Sequence, residues 1–390
     1  MTDLRQTLDS LARTPSPDLW PDIQARDPRP LPPRRRSGLV AVVGLVVLLC
    51  AAAIVLPLRL AGRSGPVTSS PPVSSAPLPS FSPHVAATIP VGPRGQVTSV
   101  AYGHGSVWVA AYVGAVNQRD VVRRIDPATN TIVATIEVPG VPPWEIGGGG
   151  MTFGDGSLWV VGGTDRAPTH GRTDGVVTRI DPGTNRVTAV IDVGGSSAAD
   201  VAIDGAGTVW AGVFGDGDSQ AELVQVDAKA AAVVARFPVG ADYIRRVAAT
   251  NAGVLVEEYV WPGARLQVER LDPRSGGVEL APVTSHAGGA LVQWNDQIWC
   301  STDLGFVRID PATGGILGEP IPKAVAWGWV ASAADDGIWF QQRKLLGRLD
   351  PTTRIVQRVF EGPGAQALAV GGDALWLIVF DGRLIRVDLH

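Results

Sequence analysis

Residues 124–136 read RIDPATNTIVATI, and residues 179–191 repeat the phrase as RIDPGTNRVTAVI. It returns as RLDPRSGG from Arg270, RIDPATGGIL from Arg308 and RLDPTTRIVQRV from Arg348. In each copy apolar and polar residues alternate up to an Asp, a turn follows, and in the fuller copies the alternation resumes. A period of two is the mark of a half-buried strand. The corner Asp-Pro-x-Thr-Asn/Gly has the chemistry of a turn. Asp accepts backbone N–H bonds at its start, Pro presets φ near about −65°, and Asn or Gly tolerates positive φ at its end. The phrase therefore predicts a hairpin.

The corner Asp recurs at Asp126, Asp181, Asp227, Asp272, Asp310, Asp350 and Asp388, in steps of 55, 46, 45, 38, 40 and 38 residues. A second signature precedes most of them: a short turn, then Val, Leu or Ile followed by Trp. Its members are Trp108, Trp159, Trp210, Trp299, Trp339 and Trp376, with Leu255 in the fourth slot. The first unit divides into four strands: VTSVAYG (A), SVWVAAY (B), DVVRRID (C) and TIVATIEV (D). Four-stranded units repeated at roughly 40–50 residues predict a β-propeller, here all-β with seven blades. The Trp residues are expected to fill the wedges between blades.

The two ends of this region complement one another. The last unit stops at GRLIRVDLH, a strand C with no strand D after it. The missing strand stands at the front, where VAATIPVG (Val85 to Gly92) matches VATIEVPG and VARFPVG. The N-terminal strand is expected to close the last blade, which removes an open sheet edge. RIDPATNTIVATI together with SVWVAAY resembles the YVTN/NHL-type propellers and the streptogramin (virginiamycin) B lyase-like repeat family, over about 85–390. The resemblance implies the fold; propellers of this type host many functions.

Ahead of the propeller, residues 38–58 read GLVAVVGLVVLLCAAAIVLPL, without a charge. At about 1.5 Å per residue such a helix matches the roughly 30 Å hydrocarbon core. Arg34, Arg35 and Arg36 stand before it, and Arg59 and Arg63 after it. The more basic N-terminal flank predicts a single-pass signal anchor with a cytoplasmic N-terminus and an extracytoplasmic propeller at the cell membrane. A cleavable leader usually has a shorter apolar region and a short basic start. A lipoprotein signal at Cys50 needs a small residue before it, and Leu49 is not small. Residues 1–37 form a tail, with Leu4, Leu8 and Leu11 on one helix face ahead of a Pro-rich stretch. Residues 59–84 form a Ser/Pro-rich linker.

Composition excludes some classes. Lys+Arg of 33 against Asp+Glu of 37 leaves a net charge of −4, so no basic field invites nucleic acid. Two cysteines, one of them in the apolar run, exclude a disulfide framework. The lyase family, by resemblance, uses a metal-assisted His/Glu constellation with a Glu-x-His pair. No Glu-x-His occurs in this chain, and its histidines are His84, His104, His170, His286 and His390. GDGDSQAE (215–222) lacks the full spacing of a calcium loop. GGGG (147–150) precedes neither a Lys nor a helix, so it reads as a tight strand entry and not as a phosphate cradle. No catalytic residue, cofactor or metal site is assigned.

What remains is the face made by the D–A and B–C loops. About ten to fourteen residues before each strand-B Trp the repeats stop agreeing: Gln96, Trp144, Glu145, Asp200, Tyr243, Arg245, His286, Trp327, Trp329 and Gln366. Aromatics beside charged groups suit a protein or small-molecule partner, and apart from Gln96 these are the candidate ligand-binding residues. Three longer loops, Pro139–Gly150, Val161–Gly175 and Glu257–Arg265, are expected to rim this face. The expected role is non-catalytic interaction or ligand sensing. The rival is a metal-dependent lyase or hydrolase using Glu145, Asp200 and His286.

Overall fold

Each hairpin of the repeat zips to the next through backbone hydrogen bonds, and the result is seven four-stranded antiparallel sheets. The computed structural model describes residues 83–113, 119–141, 150–163, 174–215, 220–240, 243–260, 265–272, 274–285, 289–323, 328 and 330–389. In blade 1 the strands are Val97–Gly103 (A), Ser106–Val113 (B), Arg119–Asp126 (C) and Thr131–Val138 (D). Consecutive A strands touch around a closed ring, blade 7 returning to blade 1, so the A strands encircle the central axis. The candidate membrane segment 38–58 lies outside the described residues. Among the described residues no helix is long and apolar enough to cross a membrane.

The closing strand is present. His84–Pro90 pairs antiparallel with Arg383–Asp388, His84 opposite Asp388 and Pro90 opposite Arg383. It completes the sheet that holds Ala365–Gly371 and Ala374–Val379. The first and last strands of the propeller thus share one blade.

The core consists of seven apolar clusters, one per wedge. Trp108 packs on Leu158, Val160 and Ile180 of blade 2, and Trp376 packs on Val107 and Val109 of blade 1. All six wedge Trp residues, and Leu255, are 1% exposed or less. Their indole N–H groups are satisfied in the A–B turns. Trp108 Nε1 donates to Gly103 O at 3.2 Å, Trp376 Nε1 to Gly371 O at 3.0 Å, and Trp210 Nε1 to Asp204 Oδ2 at 3.1 Å. A buried Trp needs such a partner for its one donor.

The repeated phrase holds more than a turn. Asp126 Oδ1 accepts the Ala128 amide at 2.8 Å, and Asp181 Oδ1 the Gly183 amide at 2.8 Å. The turn ends at positive φ on Asn130 (55°), Asn185 (57°), Gly276 (70°) and Gly314 (72°). The Arg two residues before the Asp crosses to the neighbouring blade. Arg124 lies over the Trp108 ring at 5.3 Å and donates from Nη1 to Pro182 O of blade 2 at 2.9 Å. Arg179 lies over Trp159 at 5.3 Å and reaches Ala228 O of blade 3 at 3.1 Å. Arg270 donates to Pro311 O of blade 5 at 3.0 Å. Arg386 lies over Trp376 at 5.4 Å, donates to Pro127 O and reaches Asn130 Oδ1 of blade 1 at 3.3 Å. The last blade is therefore tied to the first by the same device. Blade 3 carries Gln225 at this position, and Arg348 bonds to Asp336 O and Gln357 of its own blade.

Removing a wedge indole leaves a cavity that neighbouring strands cannot fill. Trp159→Ala is expected to lower unfolding stability by about 3–5 kcal/mol. Val234→Thr, at a site 56% exposed on an outer strand, is expected to change it by less than about 0.5 kcal/mol. Urea unfolding followed by Trp fluorescence checks both.

Candidate functional site

A–B and C–D turns occupy one end of the blades, and D–A and B–C connections the other. The B–C connections divide the second end into two halves. They take residues 114–118, 164–174, 215–221 and 261–264 in blades 1 to 4, but only 303–304, 343–344 and 380–382 in blades 5 to 7. Of the sequence-derived candidates, Trp144, Glu145, His286, Trp327 and Trp329 lie outside the described residues. Asp200, Tyr243, Arg245 and Gln366 lie within them, as does Gln96.

Four of the A strands carry a bulge near the loop face. The out-of-register residue is Thr98 in blade 1, Ala199 in blade 3, Arg245 in blade 4 and Gln366 in blade 7. Arg245 and Gln366 are thus structural equivalents, as the sequence offset implies. Asp200 is not their equivalent. The A–B turn of blade 3 holds an additional residue, since Ala202 pairs with Trp210 whereas Ala101 pairs with Trp108. A constant offset from the Trp therefore misplaces Asp200 by one residue, to the position that follows the bulge. Its true equivalents are Ser99, Gly150, Arg246, Ala290, Val330 and Ala367.

At that position Asp200 binds the two flanking blades. Its Oδ1 accepts the Gly150 amide of blade 2 at 2.6 Å, and its Oδ2 accepts the Val247 amide of blade 4 at 2.9 Å. A carboxylate bonded to both neighbouring A strands sits on the channel side of its own. Burial pushes its carboxyl above the usual range, and Arg246 and backbone amides oppose this. Both oxygens are engaged, so Asp200 is not a free ligand for the metal that the rival reading requires. Among the described residues no group of three His, Cys, Asp or Glu side chains is placed to hold a metal ion.

Blades 4 to 6 use strand B for the same purpose. The Gly289 amide donates to Glu257, the Gly328 amide to Ser301 Oγ at 3.2 Å, and the Ala365 amide to Gln341 Oε1 at 2.8 Å. Glu257 and Glu258 were expected in a rim loop over Glu257–Arg265. Instead strand B of blade 4 runs through Gly253–Val260 and both side chains are buried. The charges there are matched: Arg245 Nη1 stands 3.8 Å from Glu257 Oε2, and Arg246 acts on Asp200 and Glu257. Tyr243 is half exposed at the rim, edge-on to Phe214 of blade 3 with ring centroids 5.2 Å apart.

On the other side of that strand lies an acid pair. Gln267 Nε2 donates to Glu258 Oε2 at 3.1 Å and to Glu269 Oε1 at 3.5 Å. The Gly240 amide donates to Glu269 Oε2 at 3.1 Å. Burial, reinforced by the Glu269 carboxylate and opposed by Gln267, pushes Glu258 up to about 8.

Comparison with known proteins shows the fold alone. No family model and no curated protein sequence matches this chain. The solved structure of U3-55K is similar with a TM-score of 0.54 and 10% identity, over 79% of this chain and 98% of its own. It is one of 1032 matching solved chains, so the likeness is to a widely used scaffold. The chain carries a seven-bladed β-propeller, a fold that commonly serves as an interaction scaffold.

A raised folded-state pKa on an acid makes folding most favourable where both states are protonated. The cost of ionising Glu258 is absent below about pH 4.5, grows as pH rises to about 8, and then levels off. The thermal midpoint is expected to fall between pH 5 and pH 8, and Glu258→Gln to flatten that slope; an unchanged slope in the variant refutes the assignment. Asp200→Ala strands two amides and removes one of the two carboxylates that face Arg246, and is expected to cost about 3–5 kcal/mol in urea unfolding.

Proposed function

We propose that this protein is a membrane-anchored, extracytoplasmic interaction domain that engages a partner on the D–A/B–C face and performs no catalysis. The observation that carries this is the contrast between the two ends of the propeller. At the A–B/C–D end a corner Asp holds each turn, the wedge Trp residues fill the gaps between blades, and the Arg of blades 1, 2, 4 and 7 reaches the next blade. At the other end equivalent positions carry Arg245, Gln366, Thr98 and Ala199, and half-exposed Tyr243 stands at the rim. Positions released from the repeat are where a binding surface can form without disturbing closure. The apolar segment 38–58 with its basic N-terminal flank supports the anchor and its orientation.

A photo-crosslinking side chain at position 243 of the full-length protein, in its own membrane, is expected to capture a defined partner. The same group at Val133, exposed on an outer strand, is expected to capture none. Added protease is expected to degrade the propeller on intact spheroplasts, leaving the tail. Equal capture from both positions refutes the face assignment, and full protection from protease refutes the orientation.

A further inference from the structure

Blades 3 and 4 are joined twice at the loop end. Near the axis, Asp200 Oδ2 of blade 3 accepts the Val247 amide of blade 4 at 2.9 Å. Further out, on strand C of blade 4, Glu269 Oε2 accepts the Gly240 amide at 3.1 Å, just past the end of strand D of blade 3. The approach is close, and a Cβ on Gly240 would stand 2.7 Å from Glu269 Oε1. The inner link has a cation beside it, since Arg246 acts on Asp200. The outer link has a second acid instead. Glu258 of strand B hydrogen-bonds Glu269, carboxyl to carboxyl. Gln267 Nε2 lies 3.1 Å from Glu258 Oε2 and 3.5 Å from Glu269 Oε1. Glu258 is fully buried and Glu269 nearly so.

Among the described residues, no element packed against Glu258 brings a cation to it. On strand B, Val254 and Val256 share its side and belong to the apolar wedge with Leu223 and Val239 of blade 3. Strand A places Ile244 opposite it, while Arg245 and Arg246 of that strand act on Glu257 and Asp200. From strand C it meets Gln267 and Glu269, and Arg270 turns to Pro311 of blade 5. The Gln267 amide supplies hydrogen bonds but no charge. Two carboxyls this close and this buried do not both ionise at neutral pH, so they share one proton. Burial, reinforced by Glu269 and opposed by Gln267, lets Glu258 keep its proton up to about 8.

We propose that Glu258 and Glu269 form a proton-operated latch on the loop end of the junction between blades 3 and 4. With one proton between them, an O–H bridges the two carboxyls and Glu269 holds the Gly240 amide. When the proton leaves to solvent the bridge is lost, and two like charges face each other in an apolar wedge. Glu269 is the more exposed of the two, so relief comes by drawing it toward water and away from Gly240. The latch is therefore closed below about pH 8 and open above it. Tyr243, half exposed at the rim, follows Gly240 by three residues, so the device gives this part of the loop face a pH dependence. It goes beyond the partner reading and holds with or without it.

The test uses the full-length protein in detergent from about pH 6 to about pH 9.5. Infrared difference spectra are expected to show the C=O band of a protonated carboxylic acid at neutral pH, lost with a midpoint of about 8. Glu258→Gln is expected to lack that band. Hydrogen exchange at Gly240, read by mass spectrometry and corrected for its intrinsic pH dependence, is expected to be about tenfold faster above the titration than below it. Exchange at Trp376, on strand B of blade 7, is expected to stay level. In Glu258→Gln the new amide can donate to Glu269 at every pH, so Gly240 is expected to exchange slowly throughout. Should that variant not fold, Glu269→Gln keeps an acceptor for the Gly240 amide and removes the like charge, and the midpoint of the band is expected to move down. Absence of the acid band at neutral pH overturns the proposal. A band whose loss leaves Gly240 exchange unchanged overturns it too, as does a rise that Trp376 shares.

Discussion

Closure is the constraint from which the rest follows. A ring of sheets holds together only if its last blade meets its first as tightly as any other pair. Here closure is threefold. The backbone of His84–Pro90 completes the sheet of blade 7. Trp376 fills the wedge against Val107 and Val109. Arg386 reaches across to the turn at Pro127 and Asn130. Each device recurs elsewhere in the ring, the Arg bridge in blades 1, 2 and 4.

Closure also divides the molecule into two ends with different freedoms. At the turn end the wedge Trp residues and the Arg of blades 1, 2, 4 and 7 are committed to contacts with the neighbouring blade. At the loop end the junctions are made by whichever polar side chain is at hand: a strand-A carboxylate in blade 3, and strand-B Glu, Ser and Gln in blades 4 to 6. The amides must be satisfied, but the residue that satisfies them is not prescribed. That tolerance leaves room for a binding surface.

Much of this architecture is legible in the sequence, because a phrase repeated with its turn chemistry intact specifies strand, corner and strand. The closing strand was visible for the same reason: VAATIPVG has the pattern of a strand D with no C before it. The Arg of the phrase was legible as a repeat and not as a contact, since its partner lies in another blade. Asp200 was misaligned because an extra residue in one A–B turn does not alter the hydrophobic pattern around Trp210. Glu257 and Glu258 read as loop because two adjacent carboxylates in a buried strand contradict burial preference. Only the arginines and amides of neighbouring strands and blades explain Glu257.

The pairing of the first strand with the last also fixes an order of events during synthesis. His84–Pro90 leaves the ribosome about 300 residues before Arg383–Asp388, an interval of roughly 15–60 s at 5–20 residues per second. For that time the strand has no partner, while blades 1 to 6 can already form from local hairpins. Completion then waits on Arg383–Asp388, so a nascent chain arrested before blade 7 holds an open arc with a free leading strand. A truncated product of this gene would expose that strand to other chains, and quality control has a clear feature by which to recognise it.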